Sequence, residues 1–217
     1  MGHLSGWTYR RALPIPSSGW SLSGDVTDFT LNIVITSALA EFWALVKSDG
    51  GDVRFTASDG TTLLKKGTIK FDSTGDEAVY KVKIPTIAAA SDPTIYLYCG
   101  NASATTDDDF PNVFSSAVRE CFALDQNYSG GAFIGLKAGL SGTNNGTTDA
   151  ADQLTGARGR TVSAIVPNDI QINDSDLLSF GDGATDTDMS IVANVKMTDA
   201  TRFRICSKGN TAVTDAE

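Results

Sequence analysis

The sequence predicts an all-β protein built from two β-sandwich modules of jelly-roll type, with one short helix near residues 38–47. First, apolar residues mostly alternate with polar ones, which is the two-residue period of a half-buried strand. Second, turn-forming residues are abundant, including 21 glycines among 217 residues, as is typical of short strands joined by tight turns. Third, 41% of the residues are hydrophobic, which supplies enough apolar surface for the cores of two modules.

The alternation is clearest in the first hundred residues. Every second residue from Phe29 to Ile35 is apolar, so a strand here would bury one face and leave the other in water. Turn sequences rich in Ser, Asp and Gly separate it from the strands that follow. These further strands are predicted at residues 53–55, 80–84 and 95–99. Only residues 38–47 carry apolar side chains at helical spacing, and they predict the single helix.

A linker is predicted at residues 104–117, where the chain becomes small, polar and acidic. It separates a first module, residues 1–103, from a second module, residues 118–217, which holds most of the net negative charge. Strands of the second module are predicted at residues 121–124, 162–166, 170–172, 190–197 and 202–206. They are few for a closed sandwich, so we expect a small or truncated module whose open edges another copy or a partner protein covers.

Charge and hydropathy argue against two classes of partner. A formal net charge of −9 disfavours nucleic acid and anionic membrane surfaces, because both carry negative charge. The sequence has no stretch that is long and apolar enough to cross a bilayer, so no membrane insertion is expected. The first nine residues also lack the apolar segment of a signal peptide, which predicts a chain without a secretion signal of its own.

The residue types that could act in catalysis do not form the pattern of an enzyme active site, so no enzyme activity is predicted. His3 is the only histidine, which argues against Ser-His-Asp, Cys-His and multi-histidine metal sites. Cys99, Cys121 and Cys206 are an odd number at long spacings, so they are interpreted as buried thiols rather than as disulfides or zinc ligands. The four glutamates are far apart in the sequence, whereas jelly-roll glucanases often place their paired catalytic carboxylates close together on one strand.

Three aromatic residues are candidates for glycan binding, because exposed rings stack on the apolar faces of sugars. Trp20 lies in a polar turn, and Tyr128 and Phe133 are the aromatic residues nearest the long loops of the second module. We expect any glycan contact at the loops of residues 129–159 and 181–188, since long loops on a rigid scaffold often carry binding. The alternative is that these loops are only mobile connections.

The remaining tryptophans, Trp7 and Trp43, have a different predicted role. A first strand is predicted to start in the segment that contains Trp7, before the strand at residues 29–35. Trp43 lies on the apolar stripe of the predicted helix. We therefore expect both indole rings to pack in the core.

Acidic residues in one predicted loop are candidate calcium ligands. Asp182, Asp186 and Asp188 could supply converging oxygen ligands, although their spacing is not that of an EF-hand. The alternative is an ordinary solvated loop, and no other cofactor is expected. A solvated state is also expected for the run of three aspartates at residues 107–109, because adjacent like charges repel each other.

Two adjacent arginines near the N-terminus are expected to have a structural role. Arg10 and Arg11 lie on the first predicted strand beside aromatic residues. An ion pair with a carboxylate such as Asp28 or Asp52 is the favoured interpretation, and binding of a ligand carboxylate is the alternative.

The first module resembles the bacterial and viral family called domain of unknown function 2341. The resemblance covers residues 5–103 and is carried by short motifs in the family's order. These are Trp7-Thr8-Tyr9-Arg10-Arg11, Asp28-Phe29, Gly51-Asp52-Val53-Arg54-Phe55, Ser58-Asp59-Gly60-Thr61 and Ile95-Tyr96-Leu97-Tyr98-Cys99-Gly100-Asn101. One departure is Cys99, where the family more often has a tyrosine.

The second module resembles the first half of a concanavalin A-like, or laminin G-type, jelly roll. The motifs that carry this resemblance are Phe122-Ala123-Leu124-Asp125, Asp169-Ile170-Gln171-Ile172, residues 177–183, residues 190–196 and Ser207-Lys208-Gly209. Asn194 stands where the family commonly has a tryptophan. The family also needs roughly twice the length that remains here.

Together the two resemblances imply a protein of the kind found in phage tails and fibres or on bacterial surfaces. We expect a non-enzymatic virion component, assembled in the host cytoplasm, that contacts itself, other virion proteins and possible cell-surface glycans. One alternative is a secreted bacterial carbohydrate-binding module, located outside the cell or on its surface. Another is a fragment of a glycoside hydrolase.

Overall fold

The structure is a computed structural model that describes residues 2–122, 132–150, 159–161, 169–173, 175–179, 185, 188–193 and 206. The chain divides into two compact units, Met1–Asp174 and Ser175–Glu217. Within these described residues every strand pairing is antiparallel and the helices are short. The predicted all-β class is therefore confirmed.

Eleven strands are described in the first unit. They are β1 (Tyr9–Pro14), β2 (Val26–Ile35), β3 (Arg54–Thr56), β4 (Lys66–Asp72), β5 (Glu77–Ile87), β6 (Thr94–Cys99), β7 (Ala132–Ile134), β8 (Ser141–Asn145), β9 (Thr148–Ala150), β10 (Gly159–Thr161) and β11 (Asp169–Ile172). The sheet orders are β1-β6-β3, β2-β5-β4, β11-β8-β7 and β10-β9. The helices are α1 (Ala40–Leu45) and α2 (Phe110–Val113), with 3-10 turns at Ser17–Gly19 and Asp176–Leu178.

The first two sheets and helix α1 contribute to one hydrophobic core. Strand β5 shows how alternation builds it, since Tyr80, Val82 and Ile84 are at most 2% exposed and every second side chain of a strand points to the same face. Helix α1 adds Phe42, which is fully buried. The helix predicted at residues 38–47 is thus confirmed with slightly narrower bounds.

The predicted strand at residues 29–35 forms as β2, but its apolar face is not uniformly buried. Phe29 pairs with Ile84 across the sheet, yet its side chain is 40% exposed. Val34 lies on the opposite face and is 56% exposed. Alternation determines the face on which a side chain lies, but it does not determine how far the core extends along that face.

Several predictions for residues after 118 differ from the structure. Residues 121 and 122 and residues 190–193 are not in strands, whereas the aperiodic region 129–159 contains β7, β8 and β9. Strand β11 confirms the strand predicted at residues 170–172. The predicted strand at 162–166 lies outside the described residues, as do 194–197 and 202–205. Polar Thr and Asn residues form strands here because a neighbouring strand offers a hydrogen-bonding ladder, which overrides local propensity.

The segment interpreted as a linker contains helix α2, which contacts β4 and β5. Pro111 occupies its first turn, where a missing N–H costs nothing. Val113 is fully buried, and its carbonyl accepts a hydrogen bond of 2.9 Å from the Thr30 hydroxyl. The residues that follow the acidic run are therefore held against the outer face of the β2-β5-β4 sheet.

The second unit is described over short segments only. Its 3-10 turn begins where the Ser175 hydroxyl accepts a hydrogen bond from the Leu177 N–H. Met189, Ile191 and Val192 are 50%, 54% and 91% exposed. None of the helices in the described part of the chain is long and apolar enough to cross a membrane.

Candidate functional site

The distant motifs of the first module meet at Asp52, whose side chain is fully buried. One carboxylate oxygen accepts a hydrogen bond of 3.0 Å from the Lys47 N–H. The other accepts bonds of 2.7 Å and 3.1 Å from the N–H groups of Gly100 and Asn101. Gly100 has a positive φ of 83°, a conformation that favours glycine. A buried carboxylate thus fixes the turn that ends β6.

Trp7 and Arg54 surround the backbone of the same loop. The indole N–H of Trp7 donates to the Asp52 carbonyl at 2.8 Å, and the Arg54 guanidinium lies 5.6 Å from the centre of the Trp7 ring. One Arg54 nitrogen also donates to the carbonyls of Gly51 and Val53. The prediction that Trp7 packs in the core is wrong, because its ring is half-buried and lies over the charged side chain of Arg54.

Arg54 also belongs to a charged cluster, which we call the acidic clamp, formed by Arg54, Lys66, Asp107 and Asp108. Arg54 Nε lies 2.9 Å from an Asp107 oxygen. Lys66 Nζ lies 3.0 Å from the other Asp107 oxygen and 2.5 Å from Asp108 Oδ1. The expectation that the aspartate run is solvated and unpaired is wrong, because basic residues distant in sequence neutralise its repulsion.

Lys66 is the most unusual member of the acidic clamp, since its side chain is 1% exposed. Its ammonium lies 5.8 Å from the centre of the Tyr80 ring. Burial, followed by the charge of Asp108, raises the pKa of the Tyr80 hydroxyl far above its ordinary value. Lysine is almost never fully buried unless it is paired, so the two aspartates explain how Lys66 is accommodated.

The backbone of the acidic run is docked directly onto strand β4. The Asp109 N–H donates to the Lys66 carbonyl at 2.8 Å. A Cβ at Gly67 would collide with the Phe110 ring, so this glycine permits the close approach of α2 to the strand. The Thr68 hydroxyl donates to Asp108 Oδ1 at 3.0 Å. The Asp108 carboxyl group is thus held between two donors.

A second lysine–aspartate pair lies next to the clamp but in water. Lys65 Nζ is 2.7 Å from an Asp109 oxygen, and the Lys65 side chain is 58% exposed. The hydrogen bond to Asp109 raises the pKa of Lys65, and the same bond lowers the pKa of Asp109. Adjacent lysines therefore make similar contacts in different environments, since the Lys66 side chain is buried and the Lys65 side chain is exposed.

Glu120 organises a separate turn that the sequence does not indicate. Its carboxylate accepts hydrogen bonds of 2.8 to 3.2 Å from the backbone N–H groups of Cys121, Lys137, Ala138 and Leu140. Burial raises the pKa of Glu120, but the four N–H donors outweigh it and the pKa lies below its ordinary value. These donors lie 1 to 20 residues away, so no local motif reveals them.

The candidate glycan-binding residues do not form one site in the described part of the chain. Trp20 follows the first 3-10 turn and is 37% exposed. Phe133 is 1% exposed, so its ring is buried and presents no stacking face to a sugar. Tyr128 lies outside the described residues. Trp43 packs against the core, as predicted.

The predicted calcium ligands are largely outside the described residues. Asp188 is exposed, whereas Asp182 and Asp186 are not described. Among the residues that the structure describes, no group of three or more His, Cys, Asp or Glu side chains could hold a metal ion.

Within the described part of the chain, neither Arg10 nor Arg11 forms the predicted ion pair with Asp28 or Asp52. Arg10 donates to the Gly2 carbonyl and lies over the Tyr96 ring, and Arg11 is exposed. Asp28 pairs instead with Lys83 at 3.3 Å. The arginines miss these carboxylates because strand pairing, rather than charge, sets their positions.

The three cysteines lie in three different environments. Cys99 is buried, Cys121 is half-buried and Cys206 is exposed. The prediction of a buried thiol is therefore correct for Cys99 and wrong for Cys206. Burial, followed by the charge of Asp52, raises the pKa of Cys99 to about 12.

Comparison with known proteins bears on the first module. Neither a curated protein nor a solved structure matches the sequence. The resemblance to a concanavalin A-like jelly roll therefore stays a prediction. Residues 49–117, which include Asp52 and the whole acidic clamp, match the family model described as "Domain of unknown function (DUF2341)". The resemblance seen in the sequence motifs is thereby confirmed, and these residues carry this chain's similarity to the DUF2341 family.

Proposed function

We propose that the chain is a non-enzymatic structural component of a phage virion, in a tail, a fibre or the capsid surface. In this proposal its β modules pack against other copies of the chain and attach to cell-surface glycans. The observation that carries the proposal is the surface of strand β2. A ten-residue edge strand with exposed apolar side chains suits assembly with a second copy better than it suits an isolated surface.

Strand β2 has the features that such packing requires. In the described part of the chain it pairs with β5 alone, so its other edge offers backbone N–H and C=O groups to a neighbour. Phe29 and Val34 add exposed apolar surface on the two faces of the strand. The polar side chains of Asp52 and Lys66 are, by contrast, buried in the module.

Light scattering of the purified chain over a range of concentrations tests the assembly. We expect oligomers whose dissociation constant rises at least tenfold in Val34→Lys, because the lysine places a charge in the contact. Leu45→Lys is the matched control, since Leu45 is 47% exposed but lies on helix α1. A monomeric wild-type chain at high concentration would contradict the proposed packing, as would equal effects of the two substitutions.

A carbohydrate-binding surface protein of a bacterium is the second candidate, and the exposed ring of Trp20 favours it. A glycan array probed with the wild-type chain and with Trp20→Ala tests this contact. Binding that is lost in the variant would assign the glycan to the first module, whereas unchanged binding would favour the long loops of the second. Neighbouring genes separate the two settings, because capsid, portal and tail genes support the virion and polysaccharide-degrading genes support the bacterial surface.

A further inference from the structure

The geometry points to a covalent modification in the acidic clamp: an amide bond between Lys66 Nζ and the Asp108 carboxyl carbon. This bond would form after folding, within one chain and without a cofactor. It would tie the start of strand β4 to the segment that leads into helix α2. The inference is independent of the proposed virion function, since it depends only on the contacts of these side chains.

Proximity and burial favour the reaction. Lys66 Nζ is already 2.5 Å from Asp108 Oδ1, and the lysine side chain is 1% exposed. The Asp109 N–H donates to the Lys66 carbonyl, so the residue that follows Asp108 is fixed to Lys66. Such fixed placement greatly raises the effective concentration of two groups. Burial of the Lys66 ammonium also carries the desolvation cost of a charge. A neutral amide removes that cost.

The neighbours of the pair assign different roles to the two aspartates. Asp107 contacts both Lys66 and Arg54, so its carboxylate lies where it can accept a proton from the lysine. Thr68 donates its hydroxyl hydrogen to Asp108 Oδ1. This donor stabilises the negative charge that develops on that oxygen when the amine attacks. Asp108 is therefore the electrophile, and Asp107 is the group that transfers protons.

The reaction balances without another reactant. Asp107 takes one proton from the Lys66 ammonium, and the neutral amine forms a bond to the Asp108 carboxyl carbon. Protons passed through Asp107 convert Asp108 Oδ2 into the leaving water molecule as its C–O bond breaks. The ammonium and the carboxylate thus give one amide and one water, with no change in net charge and no oxidation or reduction.

The outer pair of Lys65 and Asp109 is an internal control. Its contact distance of 2.7 Å is similar to that in the clamp, but its lysine is 58% exposed. The two carboxylates are equally exposed, each at 25%, so the pairs differ in the lysine. Water stabilises the charged Lys65 ammonium, so no amide is expected there. The two pairs therefore separate the effect of proximity from the effect of burial.

Mass spectrometry of the full, denatured chain tests the inference directly. We expect a mass below the sequence mass by one water molecule, and a protease digest in which the peptides containing Lys66 and Asp108 are linked. The intact sequence mass in fully folded wild-type protein would overturn the inference. So would a water loss that maps elsewhere, for example to a cyclised Asp-Gly pair such as Asp49-Gly50.

Variants identify the roles of the side chains. Lys66→Met and Asp108→Ala are expected to restore the full calculated mass, whereas the control Lys65→Met keeps the loss of one water. Asp108→Asn is expected to lose ammonia instead of water, since the amide nitrogen is then the leaving group. Asp107→Asn should slow the linkage at least tenfold after refolding, and an unchanged rate would refute its role. The wild-type mass decides the main question even if a variant fails to fold.

Discussion

Replacing Asp52 with alanine tests whether one buried carboxylate holds the motifs of the first module together. The substitution removes the acceptor for three backbone N–H groups, those of Lys47, Gly100 and Asn101. It leaves these donors facing a small cavity, because the native side chain is fully buried. The loop before β3 and the turn after β6 would then lose their shared partner.

The expected loss follows from the contacts. A hydrogen bond to a charged group contributes about 1.5–3 kcal/mol, and three bonds to one carboxylate are not fully additive, so we expect Asp52→Ala to lower the free energy of unfolding by about 3–5 kcal/mol. Such a loss is a large part of a total stability of roughly 5–15 kcal/mol. With a urea dependence of about 2 kcal/mol per molar, the unfolding midpoint should fall by about 2 M.

Urea unfolding followed by tryptophan fluorescence measures this change, because Trp7, Trp20 and Trp43 all lie in the first module. Asp49→Ala is the matched control. Asp49 accepts a hydrogen bond from the Gly51 N–H, but its side chain is 65% exposed, so water can replace it and the midpoint should move little. Equal midpoints for the two variants would refute the role assigned to the buried carboxylate.

Three further predictions concern titration and reactivity. A thiol reagent at neutral pH should modify the exposed Cys206 in the folded chain and leave the buried Cys99 unmodified, because burial raises the Cys99 pKa to about 12. Rapid labelling of Cys99 before unfolding would contradict this prediction. The Asp59 carboxyl should titrate by NMR with a pKa of about 2, chiefly because it accepts the Thr62 hydroxyl hydrogen bond, and Thr62→Val should move the pKa toward 3.8. Glu120 should stabilise the fold at pH values above its unfolded pKa, with that contribution lost as the pH falls through its lowered folded pKa. Glu120→Gln should therefore reduce the acid sensitivity of unfolding, and an unchanged stability profile would argue against its four N–H contacts.

The local sequence determined much of the first module. Alternation identified β2, β5 and β6, and a helical stripe identified α1, because each pattern depends on neighbours a few residues away. Strand β4 was not predicted, because its first three residues, Lys66, Gly67 and Thr68, include no apolar side chain and its alternation is limited to residues 69–71. Its pairing with β5 supplies the ladder that its own residues do not predict.

The roles of the charged residues were decided only by tertiary structure. Lys65 and Lys66 are adjacent and chemically identical, yet one is 58% and the other 1% exposed. Which lysine enters the interior depends on the register of β4 and on where the acidic run returns to the sheet, 42 residues later for Lys66 and Asp108. The sequence determined the alternation, the turns and the motifs, because these are local. The pairing of distant charges depends on the complete fold, because burial and proximity set the electrostatic environment of each side chain.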